Sequence, residues 1–313
     1  MKTIAYIDTN TTESDLIKAR LKDKFNLLDL DLNKVVIIFN EYRNLSIFYE
    51  YDSGFDFLSP DIFMSRSANS DFVCMMAKSL NIIFNTHKDG CTIIDGIDRF
   101  NVSSKSPKLN SIFQYWVSGN YPTTIVSYNA DTVKKYLKFR YGEEFTKKWV
   151  YKPVSGSHGE GMQLISSWND FSNNLKYYNG TLIFQEFIEL ESEYRVYLYS
   201  GKILAALYKK VEQEKSSKLF SGRRMELVEL PSLPSNVKEF IHKYHWRTGF
   251  IGADIGISKE GNMFVFEQNR APEFEQTNNR LIEANLPTIE QLLVEAIYEE
   301  RQVIEEMYEK SQK

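Results

Sequence analysis

Two runs in the C-terminal third constrain this chain most: residues 251–257 (Ile-Gly-Ala-Asp-Ile-Gly-Ile) and 263–269 (Met-Phe-Val-Phe-Glu-Gln-Asn), joined through Lys259, Glu260, Gly261 and Asn262. β-Branched and aromatic residues flanking a short polar turn that contains glycine predict a β-hairpin. With the turn centred between Glu260 and Gly261, Asp254 falls opposite Glu267, and Asn269 projects from the same face two residues on. Facing carboxylates repel unless positive charge lies between them. Two carboxylates and an amide oxygen form a hard donor set suited to Mg²⁺ shared with phosphates.

With 313 residues, 42% of them hydrophobic and 14% aromatic, the chain can bury a large core and divide into two or three lobes. A formal net charge of -4 argues against the basic face that duplex nucleic acid requires. Cys74 and Cys91 lack metal-type spacing, and the N-terminus runs directly into a strand-like segment. No run of about 18 apolar residues is present, so the expected setting is a reducing cytoplasm without membrane attachment. The sequence presents no credible Ser-His-Asp or Cys-His constellation around its four histidines, His87, His158, His242 and His245. His242 and His245 read as helix-surface residues rather than a metal pair.

Up to about residue 100, strand-like and helix-like patterns alternate. Strands are expected at 2–7, 35–39, 45–51, 61–65 and 81–85, and helices at 13–25 and 71–80, giving a small α/β domain with a largely parallel sheet. A second unit starts near residue 103 with a helix to Trp116, capped by Ser106 and with Pro107 at its first position. A strand at 123–127, a helix at 130–139 and a strand at 149–154 follow. The implied division is 1–102, 103–180 and 181–313. The polar stretch 212–224 reads as a loop or flap that orders on binding. Residues 288–309 read as an amphipathic helix docked on the surface.

The strand at 149–154 leads into Ser155-Gly156-Ser157-His158-Gly159-Glu160-Gly161 and then back into an apolar strand. Glycines let backbone N–H groups approach phosphate oxygens without a Cβ clash. A Walker loop or dinucleotide fingerprint would open a helix, so this loop instead reads as a hairpin flap over phosphates, or as a bare surface turn. Lys152 on the entering strand supplies a compact positive charge, and Lys108 is either a second phosphate contact or a solvated lysine. In Gln185-Glu186-Phe187-Ile188 the backbone can offer a donor and an acceptor to an adenine edge, and Glu193 can take a ribose hydroxyl; an ordinary edge strand is the other reading. Arg195 shares a face with Glu193 and Tyr197 by period two, where a guanidinium can grip a phosphoryl group or a carboxylate. Lys209 and Arg223, with Lys210 and Arg224, can complete an anion site or belong to a solvated face.

Taken in order, Lys108, Lys152, the loop from Gly156 to Gly161, Gln185 to Ile188, Glu193-x-Arg195, Asp254 and Glu267-x-Asn269-x-x-Pro272 resemble the ATP-grasp fold, closest to its RimK-like branch of carboxylate–amine ligases. The resemblance covers about residues 103–300 and implies an ATP-grasp core (α/β, α+β) preceded by a small α/β domain. It implies that Lys108, Lys152 and the loop residues Gly156, Ser157, His158, Gly159 and Gly161 meet the phosphates of ATP. Glu186 and Ile188, flanked by Gln185 and Phe187, would meet adenine, and Glu193 the ribose. Asp254, Glu267 and Asn269 would hold two Mg²⁺ ions, with Mn²⁺ as a substitute. Arg195 would stabilise an acyl phosphate, with Lys209 and Arg223 completing the catalytic set. The implied reaction joins a carboxylate to an amine or hydroxyl with release of ADP and phosphate.

His158 and Glu160 depart from the small or apolar residues of many relatives, and residues 270–275 resemble both RimK-like ligases and ligases that modify ribosomal peptides, such as graspetide synthetases. The acceptor stays open between a peptide or protein, which the charge of 212–224 would suit, and a free amino acid or small acid. A nucleotide-binding regulator without chemistry is the alternative of another class. A homodimer follows only by family analogy. Replacing Asp254 by Asn is expected to abolish ADP formation and leave the fold intact.

Overall fold

A computed structural model describes residues 1–8, 12–40, 45–50, 59–65, 72, 75–76, 79–80, 92–95, 107–116, 119–154, 161–175, 179–209, 225–244, 249–269 and 272–311. The chain divides into two compact units, Met1–Phe187 and Ile188–Lys313.

In the first unit, β1 (Thr3–Asp8), α1 (Thr12–Lys22), β2 (Asn26–Asp31), β3 (Val35–Phe39), β4 (Leu45–Tyr49), β5 (Ile62–Ser65) and β6 (Thr92–Asp95) precede α2 (Pro107–Trp116). There follow β7 (Thr124–Asn129), α3 (Ala130–Tyr141), β8 (Trp149–Pro153), β9 (Gln163–Ile165), α4 (Trp168–Leu175) and β10 (Asn179–Glu186). One sheet runs β2-β1-β5-β6 with every pairing parallel. Its central β1 buries Ile4, Ala5, Tyr6 and Ile7 in succession, as a strand covered on both faces must. Of the helix expected at 71–80, the described residues Phe72, Met75, Met76, Ser79 and Leu80 are helical and buried, at spacings that define one helix face. The strand expected at 81–85 lies outside the described residues.

The second sheet runs β4-β3-β7-β10-β8-β9 and is antiparallel throughout. This corrects the expectation for 35–39 and 45–51, which were assigned to the parallel sheet. β3 and β4 instead form a hairpin whose first strand pairs with β7. The five residues of β3 are all apolar and all buried, and such a run fits any doubly covered strand while saying nothing about its neighbour. One face of this sheet packs Val36, Ile38, Ile125, Trp149, Tyr151, Leu182 and Phe184 against Val133, Tyr136 and Leu137 of α3 and Phe171 and Leu175 of α4. Toward the other face, Phe39 meets the ring edges of Phe113 and Trp116 on α2. Asn129 caps α3 by accepting from the N–H groups of Asp131 and Thr132.

The second unit contains β11 (Leu190–Tyr199), β12 (Lys202–Lys209), β13 (Met225–Val228), α5 (Ser235–Tyr244), β14 (Phe250–Ser258), β15 (Met263–Asn269), α6 (Glu275–Glu283) and α7 (Ile289–Ser311). Its sheet runs β13-β12-β11-β14-β15, also antiparallel. Leu281, Ile289 and Ala296 of the last two helices pack on Tyr197, Leu204 and Ala205, which docks the amphipathic C-terminal helix as its apolar stripe predicts. Tyr199 donates to Glu300 at 2.6 Å and Lys202 to Glu299 at 2.5 Å, pinning the middle of α7 to the β11–β12 hairpin.

The expected hairpin forms as β14–β15, but its turn differs. Ser258 N–H donates to Asn262 O, and Gly261 takes φ +81°, so the loop is a three-residue turn centred on Glu260. That register pairs Ile257 with Met263 and Ile255 with Val265, and continued unbroken it would set Phe266 opposite Asp254. A bulge at Phe266 intervenes and returns Glu267 to the position opposite Asp254. Space for the bulge comes from Gly256, where an added Cβ would lie 2.6 Å from the Phe266 ring and 2.7 Å from Leu190.

Candidate active site

In the second unit the strand order alone assembles a charged row. β14 lies between β11 and β15, so Asp254 has Arg195 opposite it on one side and Glu267 on the other. One strand further, Lys209 pairs with Glu193. Side chains follow this register: Arg195 donates from Nε to Asp254 Oδ1 at 2.5 Å and from Nη2 to Oδ2 at 2.6 Å, a two-pronged grip. Lys209 Nζ donates to the same Oδ1 at 2.8 Å and to Glu193 Oε1 at 3.0 Å.

Asp254 is only 8% exposed, and taking a carboxylate out of water is costly unless it is paired. Burial pushes its carboxyl up, but Lys209 and Arg195 together pull it further down, to about 2. For Lys209, burial works against the charged form, while Asp254 and Glu193 outweigh it and raise the ammonium above its ordinary value. The Arg195 guanidinium behaves alike: burial lowers it, and Asp254 followed by Tyr197 and Glu267 raises it. All three groups are therefore charged at neutral pH. The positive charge required beside Asp254 and Glu267 is supplied within the chain by Arg195 and Lys209, a pairing invisible until β11 is known to neighbour β14.

Asn269 lies opposite Gly252, two residues beyond Glu267. Among the described residues no group of three His, Cys, Asp or Glu side chains gathers in metal-binding fashion; the donor set here is two carboxylates and one amide. Every donor of the set is oxygen, as a hard divalent cation requires, but Arg195 and Lys209 engage both Asp254 oxygens, so a cation would reach that carboxylate only by displacing them.

Two further contacts lie beside Arg195. Pro272 covers Gly252, where an added Cβ would stand 2.7 Å from Pro272 Cβ and 3.5 Å from Arg195 Nη1. Tyr197 Oη donates to Glu273 O at 2.8 Å and accepts from Thr277 Oγ1 at 3.0 Å, tying the segment after β15 to the sheet. Neither Gly252 nor Thr277 stood out in the sequence. Only the period-two relation of Tyr197 to Arg195 hinted at this corner.

In the first unit, Lys108 in the opening turn of α2 donates to Pro153 O at 2.9 Å, which brings it to the end of β8, one residue past Lys152. Lys152 donates to Gln185 Oε1 at 2.5 Å. Glu186 accepts from Lys147 at 2.7 Å through Oε1, while its Oε2 is buried without a partner among the described residues. The N–H groups of Glu186 and Phe187 donate to Thr123 O and Lys148 O, so those two donors are used inside the unit. Ile188 opens the second unit. Gly161 is described, with φ +72°, whereas Gly156, Ser157, His158 and Gly159 lie outside the described residues, as do Arg223 and the whole stretch 210–224.

Residues 128–273 match the family model of the ATP-grasp domain. No curated protein matches the sequence. Among solved structures, the chain is similar to the ATP-grasp ligase PsnB complexed with minimal precursor, Mg and ADP (16% identity over 94% of this chain and 96% of that one, TM-score 0.46). It is also similar to D-alanyl-alanine synthetase A from Vibrio cholerae (12%, 95% and 98%, TM-score 0.48). A third is the Chryseobacterium gregarium RiPP-associated ATP-grasp ligase in complex with ADP and a leader and core peptide (15%, 92% and 98%, TM-score 0.42). None of these three likenesses bears on which substrate this chain takes. The domain match agrees with the resemblance read from the ordered motifs: residues 128–273 carry an ATP-grasp domain.

Proposed function

We propose that the ATP-grasp domain of residues 128–273 serves an ATP-dependent ligation in which a substrate carboxylate attacks the γ-phosphorus of ATP, ADP leaves, and an amine or hydroxyl then displaces phosphate from the acyl phosphate. The observation that carries this reading is the convergence of Arg195 and Lys209 on Asp254, with Glu267 next in the row. A purely structural ion pair needs neither the second cation nor the second carboxylate.

Each residue has a role suited to its chemistry. Asp254, Glu267 and Asn269 would hold Mg²⁺, which when bound neutralises phosphate charge. Arg195 presents a planar fork of N–H donors and Lys209 a compact ammonium, so together they can hold and orient an anionic phosphoryl or carboxylate group. Glu193 keeps Lys209 charged and in place, and is the candidate for the ribose hydroxyl. Lys108 and Lys152 would meet phosphates with the loop from Gly156 to Gly161, and the segment from Gln185 to Ile188 would meet adenine through its main chain. Arg223 is assigned to the anion site from sequence alone.

For the substrate we favour a peptide or protein carboxylate. Lys215, Lys218, Arg223 and Arg224 outnumber Glu212 and Glu214 in the stretch 212–224, a charge balance suited to an acidic chain. Incubation with acidic peptides, ATP and Mg²⁺, followed by mass spectrometry, tests this. Loss of water within the peptide marks intramolecular cross-linking and an added amino-acid mass marks extension. ADP release that responds to free amino acids and to no peptide would overturn the peptide reading. Absence of ADP formation with every carboxylate would leave a nucleotide-binding regulator in its place.

A further inference from the structure

We infer that Thr124, a residue outside the nucleotide set above, positions Lys152 by way of Gln185. The three stand on neighbouring strands in the order β7-β10-β8. Thr124 is directly opposite Gln185, and Lys152 is opposite Ile183, so period two places Lys152 and Gln185 on one face as diagonal neighbours. Thr124 is 0% exposed and Gln185 1%. A buried amide is tolerated only where its donors and acceptor are both used.

The direction of each bond follows from the one before. Thr124 Oγ1 donates its single proton to Pro122 O at 2.8 Å, so toward Gln185 it can only accept. It therefore receives Gln185 Nε2 at 3.0 Å, which turns Oε1 the other way. Lys152, which has donors and no acceptor, meets that oxygen at 2.5 Å. The backbone carbonyl of Pro122 thus dictates, through two buried side chains, where the amide dipole points and where it draws the ammonium. A Val at 124 has nearly the shape of Thr but cannot accept, so the amide loses the partner that fixes its orientation.

This rests on reading Lys152 as a phosphate contact, but it is testable without nucleotide. Acylation of Lys152 in the ligand-free protein, followed by mass spectrometry with Lys259 as internal reference, reports how firmly the amine is held. Thr124→Val should speed that acylation about three- to tenfold, the worth of the one neutral hydrogen bond that orients the amide. Gln185→Met removes the acceptor without leaving a buried amide, gives the same result, and keeps the test alive should Thr124→Val fold poorly. Thr124→Ser retains the hydroxyl and should restore the wild-type rate. Unchanged Lys152 acylation in both disruptive variants, or a Ser variant that behaves like Val, overturns the inference.

By calorimetry with ADP and Mg²⁺, Thr124→Val should weaken binding about three- to tenfold in the wild-type background and not at all beside Lys152→Ala. An equal loss in the Lys152→Ala background overturns the inference as well. Wild-type ADP affinity in Lys152→Ala alone would refute the phosphate role of Lys152, and the acylation comparison would then decide the relay by itself.

Discussion

The Asp254 carboxylate is held by Arg195 of β11 and Lys209 of β12, two cations brought to it from neighbouring strands. Stability is the quantity that changes with this finding. Asp254→Asn leaves a buried guanidinium and ammonium without their counter-ion, so it should cost about 3 kcal/mol, near the low end for breaking a buried pair. This reverses the expectation of an intact, unperturbed fold. Glu267→Gln, which breaks neither bond of that grip, should cost under about 1 kcal/mol, and urea midpoints for the two variants should separate accordingly. The pH dependence has a definite sign. The Asp254 carboxyl is held down at about 2 in the folded chain against about 3.9 unfolded, so its contribution is complete above about pH 4 and is lost as the pH falls through 2. Wild type should therefore lose more stability than Asp254→Asn between those values; parallel decline of the two would refute the assignment. Lys152 and Lys108 were readable only as isolated positive charges, because the partners that place them, Gln185 and Pro153, lie on other elements.

Among the elements, the hairpin was legible in kind and in its decisive pairing, though by a route the sequence conceals. Its alternation and glycine turn announce β14 and β15, but the loop has three residues, and only the Phe266 bulge returns Glu267 to Asp254. Bulges leave no strong composition signal; the available hint was Gly256, whose missing side chain admits the Phe266 ring. Gly256→Ala should therefore cost roughly 1–3 kcal/mol through overpacking and should lower Mg²⁺-dependent ADP affinity by moving Glu267. Thermal unfolding and calorimetry check the two effects separately. Helices α2, α3 and α7 were readable from caps and apolar stripes, whereas β2, β6, β13, α4 and α6 were passed over, being short or flanked by polar residues that resemble loops.

Across the whole molecule, an alternating α/β pattern was visible, and the assignment of strands to sheets was not. The run Val35–Phe39 is buried because it lies between β4 and β7 inside the six-stranded sheet, and Val36 and Ile38 belong to the same core as Trp149 and Phe184. A chain starting at residue 103 would lack these strands and expose the β7 edge, so it should be aggregation-prone and fail to show the cooperative unfolding of the full chain. A well-folded fragment would contradict this. The shared oxygen of Asp254 has a consequence for how the second unit responds to solutes. An anion engaging Lys209 or Arg195 would loosen their hold on the carboxylate and leave it in want of a cation, while a cation captured by the carboxylate would release both basic groups to the anion. The two occupancies form a single thermodynamic cycle. Whatever factor saturating sulfate contributes to Mn²⁺ affinity, saturating Mn²⁺ must return to sulfate, and titrations run in both orders should yield one coupling constant greater than unity.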